Sequence, residues 1–515
     1  VKAIVLNFEL EKKYSAKINL RFDDTNPENE DQKYIDAIKS DVNWLGYNWD
    51  EERYASDYFQ QLYEWSLKLI NEDKAYVDSQ TSEEIADQKG TPKEPGKNSP
   101  FRNRTVEENT MLFKQMKEGK VEPGKHVLRA KIDMSSPNML MRDPVIYRVL
   151  NASHPRTKND WVIFPMYDWT HGESDYIEQI SHSLCTLEFK PHRELYDWFL
   201  DQVVDKDKIR PKQREFARLN LSHTITSKRK LLYLVDKNIV DGWDDPRMPT
   251  ISGLRRRGYT PESLKSFVRA AGVAKRENVI EMSLLEFCVR EDLNKKCNRM
   301  MVVQNPIKIT ITNLEEGYEE TLVVENNPED PSAGSREMVF TKTVLIERED
   351  FSDNPPRNFF RLSPGNEVRL KGAYIIKANK VIYNKEGFVD EVECTYDPKS
   401  KSGSGSEESK RKVTGTLHWV SSTKNLQIMI REYDRLFEHP SPGQFPPEEF
   451  YKILNPNSMS VSAARAELEM SKAKTGESFQ FQRKGYYIMD KASSTKNMIF
   501  NKTVSLRDNW KKQAK

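Results

Sequence analysis

Apolar positions recur along this 515-residue chain with two different periods, and the change of period divides it. In the first half, helical spacing alternates with short apolar runs. Ile4, Phe8 and Leu10, with Tyr14 following, predict a helix; Lys17-Ile18-Asn19-Leu20-Arg21-Phe22 predicts a buried strand that runs into Asp23-Asp24-Thr25-Asn26-Pro27. Ser56 stands at an N-cap before a stripe of Phe59, Leu62, Tyr63, Ser66, Leu69 and Ile70, and Lys74-Ala75-Tyr76-Val77 reads as the next strand. Gly90, Pro92, Pro95, Gly96 and Pro100 break the pattern where an insertion begins. Within it, Thr105 and Glu108 form a capping box, and Leu128, Ala130 and Ile132 alternate with Arg129, Lys131 and Asp133 as a half-exposed strand. The wound α/β pattern is expected to resume at Trp161–Met166, to pass through a helical region around Ser183–Phe189 and to return to a strand at Arg214–Leu219.

From about 220 to 296 the signals are helical, with Thr260 at an N-cap, Pro261 at N1 and Leu264, Phe267, Val268 and Ala271 on one face. Beyond Asn298 the period becomes two. Ile307, Ile309 and Ile311 alternate with Lys308, Thr310 and Thr312, and short runs recur at Val344–Ile346, Tyr374–Ile376 and Thr416–Val420, which suggests one or two barrels. Residues 399–409, rich in Ser, Gly and charge, read as a flexible loop.

Composition narrows this picture. The length implies roughly three to five domains, and 10% aromatic residues exclude a disordered polymer. Lys and Arg total 81 against 79 Asp and Glu, so the net charge of +2 favours no class of partner and recognition must rest on local clusters. No apolar run reaches the ~18 residues of a bilayer span. Cys185, Cys288, Cys297 and Cys394 lack zinc-site spacing, and a chain of this kind fits a reducing, cytoplasmic compartment without disulfides or structural metal.

Four segments are candidates for chemistry. Arg21–Pro27 brings two carboxylates to the end of a strand, the edge where α/β sheets bind ligands, although the same residues could cap a turn. Met166-Tyr167-Asp168-Trp169-Thr170-His171 ends an apolar strand in hydroxyl, carboxylate and imidazole. Ser227-Lys228-Arg229-Lys230 offers cations that could reach phosphates or face solvent. In Gly242–Gly258 the triple Arg255-Arg256-Arg257 cannot all face one way, so at least one should meet a phosphate or carboxylate.

Taken in order, these segments, with Ser181-His182-Ser183-Leu184-Cys185-Thr186-Leu187-Glu188-Phe189, resemble the class I aminoacyl-tRNA synthetases, in their glutamyl/glutaminyl subgroup, along the whole chain. The resemblance implies a Rossmann-type catalytic fold over 1–57 and 167–217, an acceptor-end-binding insertion over 58–166, a helical connector over 218–297, and two anticodon-binding β-barrels over 298–515. It implies activation of L-glutamine by ATP, with Mg²⁺, and transfer to the 3′ end of the matching tRNA by a monomer. A glutamyl enzyme of related build and a non-catalytic tRNA-binding protein remain alternatives. By the same resemblance Asp23 holds the α-amino group, Tyr167 hydrogen-bonds the substrate side chain, and His171, Cys185 and Phe189 line its pocket. Arg218 and Leu219 contact ATP, while Ser227 and Lys228 act on the triphosphate. Arg299, Arg361, Arg369, Lys371, Gln480 and Arg483 meet the anticodon. Cys185, a neutral thiol where glutamyl enzymes resemble an arginine, favours an uncharged amide, because a γ-carboxylate would require a cation.

The sequence departs from the subgroup in three places. Thr226 stands for a methionine, Lys190-Pro191 for an acidic residue near the acceptor stem, and Phe360 for a second cation beside Arg361. Val1 falls inside a helix-period run, and the subgroup's His-Ile-Gly-His ATP signature would directly precede it. The expectation is therefore that the protein starts upstream.

Overall fold

The apolar run at 17–22 forms β1 (Asn19–Phe22), which pairs in parallel with β2 (Glu51–Tyr54) after α1 (Lys2–Tyr14). A computed structural model of the chain describes residues 1–28, 32–205 and 207–507. It divides into two compact units, 1–219 with 272–278 and 220–271 with 279–515.

In the first unit the stripe beginning at Phe59 is α2 (Phe59–Asn71), with Phe59, Leu62, Leu69 and Ile70 in the core. Strands β3 (Ala75–Asp78), β4 (Val127–Ala130), β5 (Val145–Val149) and β6 (Ile163–Pro165) follow as one antiparallel sheet. This corrects two expectations. The run at 161–166 does not resume the parallel pattern, because Ile163–Pro165 completes the inserted sheet beside Val145–Val149. Nor is β4 half-exposed: Arg129 is fully buried, its Nη1 2.7 Å from Asp78 Oδ2 and its Nε donating to the Asp143 carbonyl at 2.7 Å. A charge at a solvent-face position of the pattern is here an inward charge with its own partner.

After β6 come α3 (Tyr167–Ile177), β7 (His182–Thr186), α4 (Arg193–Val203) and β8 (Lys212–Phe216). The segment around Ser183 is a strand where a helix was expected. Its partner, β8, lies 30 residues downstream, with His182 opposite Lys212 and Cys185 opposite Glu215 in a parallel pair. Parallel pairing through a crossover helix leaves no local signature beyond the strand's own apolar residues.

In the second unit, α5 (Lys228–Asp236) and the helices Ile251–Arg257, Pro261–Ala271 and Met282–Lys296 precede the strands. Two seven-stranded sheets follow, each on its own core. One draws on strands from 306 to 421; the other combines Asn298–Met300 and Val302–Val303 with strands from 425 to 505, so the chain begins the second sheet, builds the first, and returns. Ile307, Ile309 and Ile311 face inward as the alternation predicts. The 399–409 segment is tied down rather than loose: Arg369 donates to the Ser400 and Ser409 carbonyls at 2.8 Å each. Of the triple arginine, Arg256 meets Asp490 at 2.9 Å and Asp244 at 3.4 Å, whereas Arg257 donates to the Thr503 and Tyr433 carbonyls. These bonds fasten the helical segment to the second sheet.

Candidate active site

Where β1 ends, its two aspartates part company. Asp24 is buried; Oδ1 accepts the Ser56 N–H at 2.8 Å, Oδ2 accepts the Ser56 hydroxyl at 2.7 Å, and its carbonyl lies 2.7 Å from His154 Nε2. It caps the turn before α2, 32 residues along the chain, and not the turn next in sequence that the structural reading of this motif supposes. Asp23 stays about a third exposed and is held from one side by Arg21 Nε at 3.0 Å. Arg21 is the hub: its Nη2 meets Asp175 Oδ1 at 2.8 Å and its Nη1 lies 3.3 Å from Glu178 Oε1. Three carboxyl groups around one guanidinium leave negative charge in excess, the environment an ammonium group needs. Burial pushes the Glu178 carboxyl above the usual carboxylate range, opposed by Arg21 and by the Tyr58 hydroxyl that donates to it.

Spacing on α3 presents the second wall. Tyr167, His171 and Asp175 recur every four residues and share a face. The Tyr167 and His171 rings stack with centroids 5.2 Å apart, and Tyr167 Oη lies 3.4 Å from His171 Nδ1. Phe189 closes on Tyr167 at 5.8 Å. His171 Nε2 lies 3.2 Å from Ser183 Oγ, and Asp175 Oδ2 accepts the Tyr196 hydroxyl at 2.9 Å. Burial, followed by the charge of Asp23, raises the Tyr167 phenol well above its ordinary value, so it stays protonated and can donate. Cys185, on β7, is half-buried; burial and then Glu215 push its thiol up to about 12, which keeps it neutral.

The structure thus brings Asp23, Tyr167, His171, Cys185 and Phe189 into one unit on adjoining elements, with Arg218 and Leu219 just beyond β8. Arg218 is exposed, 3.7 Å from Glu188. Ser227 and Lys228 belong to the second unit, at the exposed start of α5, where Ser227 is the N-cap and makes no side-chain capping bond. Their neighbour Lys230 is held by the Gly443 and Phe445 carbonyls, at 2.5 and 2.8 Å, so only part of the basic run faces outward.

The expected anticodon residues, also in the second unit, differ in availability. Arg483 makes a two-pronged pair with the fully buried Asp350, at 2.5 and 2.7 Å, and Arg361 Nε approaches the same carboxylate at 3.2 Å. Gln480 donates to the Tyr486 hydroxyl at 2.8 Å, and Lys371 to Gln482 Oε1 at 3.2 Å. Burial and then Arg299 depress the Lys371 ammonium. Arg299 is buried, donating to the Cys297 carbonyl and to Asn294 Oδ1, and Arg369 holds the 400–409 loop. Among the described residues no group of three or more His, Cys, Asp and Glu is placed to hold a metal ion, and no helix is long and apolar enough to cross a membrane.

Sequence reasoning passes over Arg21, Asp175, Tyr196, Arg193 and Glu215 as site residues. A signal existed for one of them: Arg21 is a charge between Leu20 and Phe22 in a short strand, which requires a partner.

One residue of α3 stands apart. Glu173 is fully buried, both carboxyl oxygens lack a hydrogen-bond partner, and burial raises its pKa well above the ordinary range. The native state therefore holds a proton that the unfolded chain releases. Stability from this group is complete below the unfolded value near 4.5 and is lost as pH rises towards the raised native value. Glu173→Met should raise stability at pH 8 by about 1–3 kcal/mol and flatten the decline between pH 5 and 8, as measured by urea unfolding at several pH values.

Comparison with known proteins now bears on this geometry. Residues 1–295 match the family model described as tRNA synthetases class I (E and Q), catalytic domain, and residues 297–397 and 416–490 match two models of the anti-codon binding domain of the same synthetases. The chain belongs to the class I tRNA synthetases of the E and Q type. Its relatives include proteins of Clostridium kluyveri, 51% identical over 511 residues (99% of this chain and 91% of the relative), and of Bradyrhizobium diazoefficiens, 50% identical over 514 residues (99% and 91%). A protein of Rhodopirellula baltica is 51% identical over 512 residues (99% and 84%). All three bear the name glutamine–tRNA ligase. The catalytic-domain match spans both wings of this synthetase's site, β1 with Asp23 and α3 to β8, and ends just before the first strand of the two-sheet region.

Proposed function

We propose that this synthetase is a glutamine–tRNA ligase, which activates L-glutamine with ATP and passes the glutaminyl group to the 3′ end of its tRNA. The observation that carries the reading is identity of about half, over 99% of the chain, to proteins of that name. The side chains support it. The excess negative charge at Asp23 and Asp175 suits an α-ammonium group, the protonated Tyr167 hydroxyl can donate to a side-chain carbonyl, and Cys185 presents no charge to an amide. The amino-acid carboxylate is already a nucleophile, so no side-chain base is required and the chain acts by positioning and charge stabilisation.

ATP supplies the electrophilic phosphorus and the leaving pyrophosphate. By resemblance to the family, contact with ATP is assigned to Arg218 and Leu219, just beyond β8, and the role at the triphosphate to Ser227 and Lys228, at the start of a helix in the second unit. Mg²⁺, where it accompanies the nucleotide, would neutralise phosphate charge beside Lys228. The anticodon is read by the second unit, with Arg361 and Arg483 as its principal pair, aided by Gln480 and Lys371; Arg299 and Arg369 support them by holding backbone. The setting is the cytoplasm.

Aminoacylation with radiolabelled glutamine and glutamate tests the reading. Glutamine should be attached to tRNA; preferential attachment of glutamate, or binding of tRNA without charging, would overturn it. Arg483→Ala should raise the KM for tRNA about tenfold to a hundredfold while leaving kcat for aminoacylation at saturating tRNA within a few-fold of wild type, because Arg483 lies in the strand region matched by the anti-codon binding models and touches no residue assigned to the chemistry.

A further inference from the structure

A cation stands close to the Cys185 wall after all. Arg193, the first residue of α4, acts on the Cys185 thiol through its charge, yet the opposing influence of Glu215 is larger. Glu215 lies directly across the parallel pair from Cys185. Its carboxylate is 3% exposed and takes both prongs of the Arg193 guanidinium, with Nε–Oε1 at 2.8 Å and Nη2 on Oε2. A third donor fixes it: Gln213 Nε2 lies 2.9 Å from Glu215 Oε1 and 3.0 Å from the carbonyl of Phe189, the residue whose ring closes on Tyr167. Glu215 is therefore immobilised by two side chains, whereas Arg193 keeps 39% of its side chain exposed and has solvent-side freedom if released.

A plain structural role would have the pair staple α4 to β8. That role does not require the carboxylate to sit opposite the one cysteine of the pocket, nor to be tied to the backbone of a pocket residue. A free guanidinium at this place would offer a γ-carboxylate the charged, two-pronged partner that it needs on leaving water.

We propose that Glu215 is a specificity-determining positioning residue: by holding Arg193 in a closed ion pair, it withholds that cation from the substrate side chain and so excludes glutamate. The proposal rests on the glutamine reading above. Rejection then has two parts, a neutral thiol at the wall and a cation behind it that is already satisfied. Releasing the cation gives glutamate a partner and gives glutamine, which is uncharged, much less.

The test is amino-acid-dependent pyrophosphate exchange, with kcat/KM for glutamine and for glutamate measured on the full protein. Glu215→Gln keeps the shape and removes the charge; the glutamine-to-glutamate ratio should fall about tenfold or more, through a gain with glutamate. Arg193→Lys replaces the two-pronged grip by a mobile point charge and should lower the ratio in the same direction by about threefold to tenfold. The double change Glu215→Gln with Arg193→Gln removes the released cation and should return the ratio towards wild type. A structural staple would scale both amino acids alike. A ratio that stays within about twofold of wild type in both Glu215→Gln and Arg193→Lys overturns the proposal, as does a double variant as permissive as Glu215→Gln. Should Glu215→Gln fail to fold, by circular dichroism, Arg193→Lys alone decides, because its side chain reaches solvent. A wild type that prefers glutamate removes the reading beneath the proposal, and that is seen before any variant is made.

Discussion

Lys228→Ala should lower ATP–pyrophosphate exchange by about 10²–10³-fold, mainly in kcat, with tRNA affinity nearly intact. The expected size follows from what Lys228 faces. It opens α5 on the exposed side, one residue after an N-cap that makes no side-chain bond, so the helix end and the ammonium group both offer positive character to phosphate oxygens. Lys230, two residues on, is held by two backbone carbonyls and cannot substitute without breaking them. Charge on the departing pyrophosphate grows in the transition state, and an interaction that strengthens there lowers the barrier and not merely KM. Filter binding of tRNA alongside exchange separates the two effects. Exchange within a fewfold of wild type would remove Lys228 from the chemistry.

Arg21→Met should cost about 3–5 kcal/mol of stability at pH 7 and raise the KM for glutamine by at least about tenfold. The guanidinium is mostly buried and touches Asp23, Asp175 and Glu178 at once. Its removal leaves three carboxyl groups facing one another, with Asp175 also fixed by Tyr196 and Glu178 by Tyr58 so that neither can turn away. The pH dependence identifies the cause. Stabilisation by Arg21 requires a charged carboxylate at Glu178, whose pKa burial pushes above the ordinary range, so this part is present at neutral pH and shrinks as Glu178 takes up its proton; the deficit of the variant should be smaller near pH 4 than at pH 7. Urea unfolding at both pH values measures this, and a deficit independent of pH would point to lost packing instead.

Much of the molecule was readable one element at a time. The stripe from Phe59 to Ile70 is a helix with its apolar face inward, and Ile307, Ile309 and Ile311 point into a sheet core, because helix and strand each repeat over a few residues. The candidate pocket residues were legible through their resemblance to a family; that Tyr167 and His171 stack on one face of a helix, rather than ending a strand as expected, came only from the structure. What escaped was pairing at a distance. Arg21 meets Asp175 across 154 residues and Arg193 meets Glu215 across 22, and no local pattern announces either. Arg129 was assigned to solvent by alternation, yet Asp78, 51 residues away, receives it inside the core.

Sequence alone determined the kind of the strongly periodic elements, the change from helical to two-residue period near Asn298, and the motifs that lead to the class I synthetases. These depend on short-range sterics and side-chain periodicity, which every stretch of about ten residues carries within itself. Only the tertiary structure decided that Ile163–Pro165 joins the inserted sheet, that Asn298–Val303 joins the last one, and that of two adjacent aspartates Asp24 caps a turn while Asp23 faces the pocket. Strand partners and buried charges are chosen by what the rest of the chain brings alongside. A carboxylate next to another in sequence is a cap or a ligand according to whether Ser56 or Arg21 reaches it.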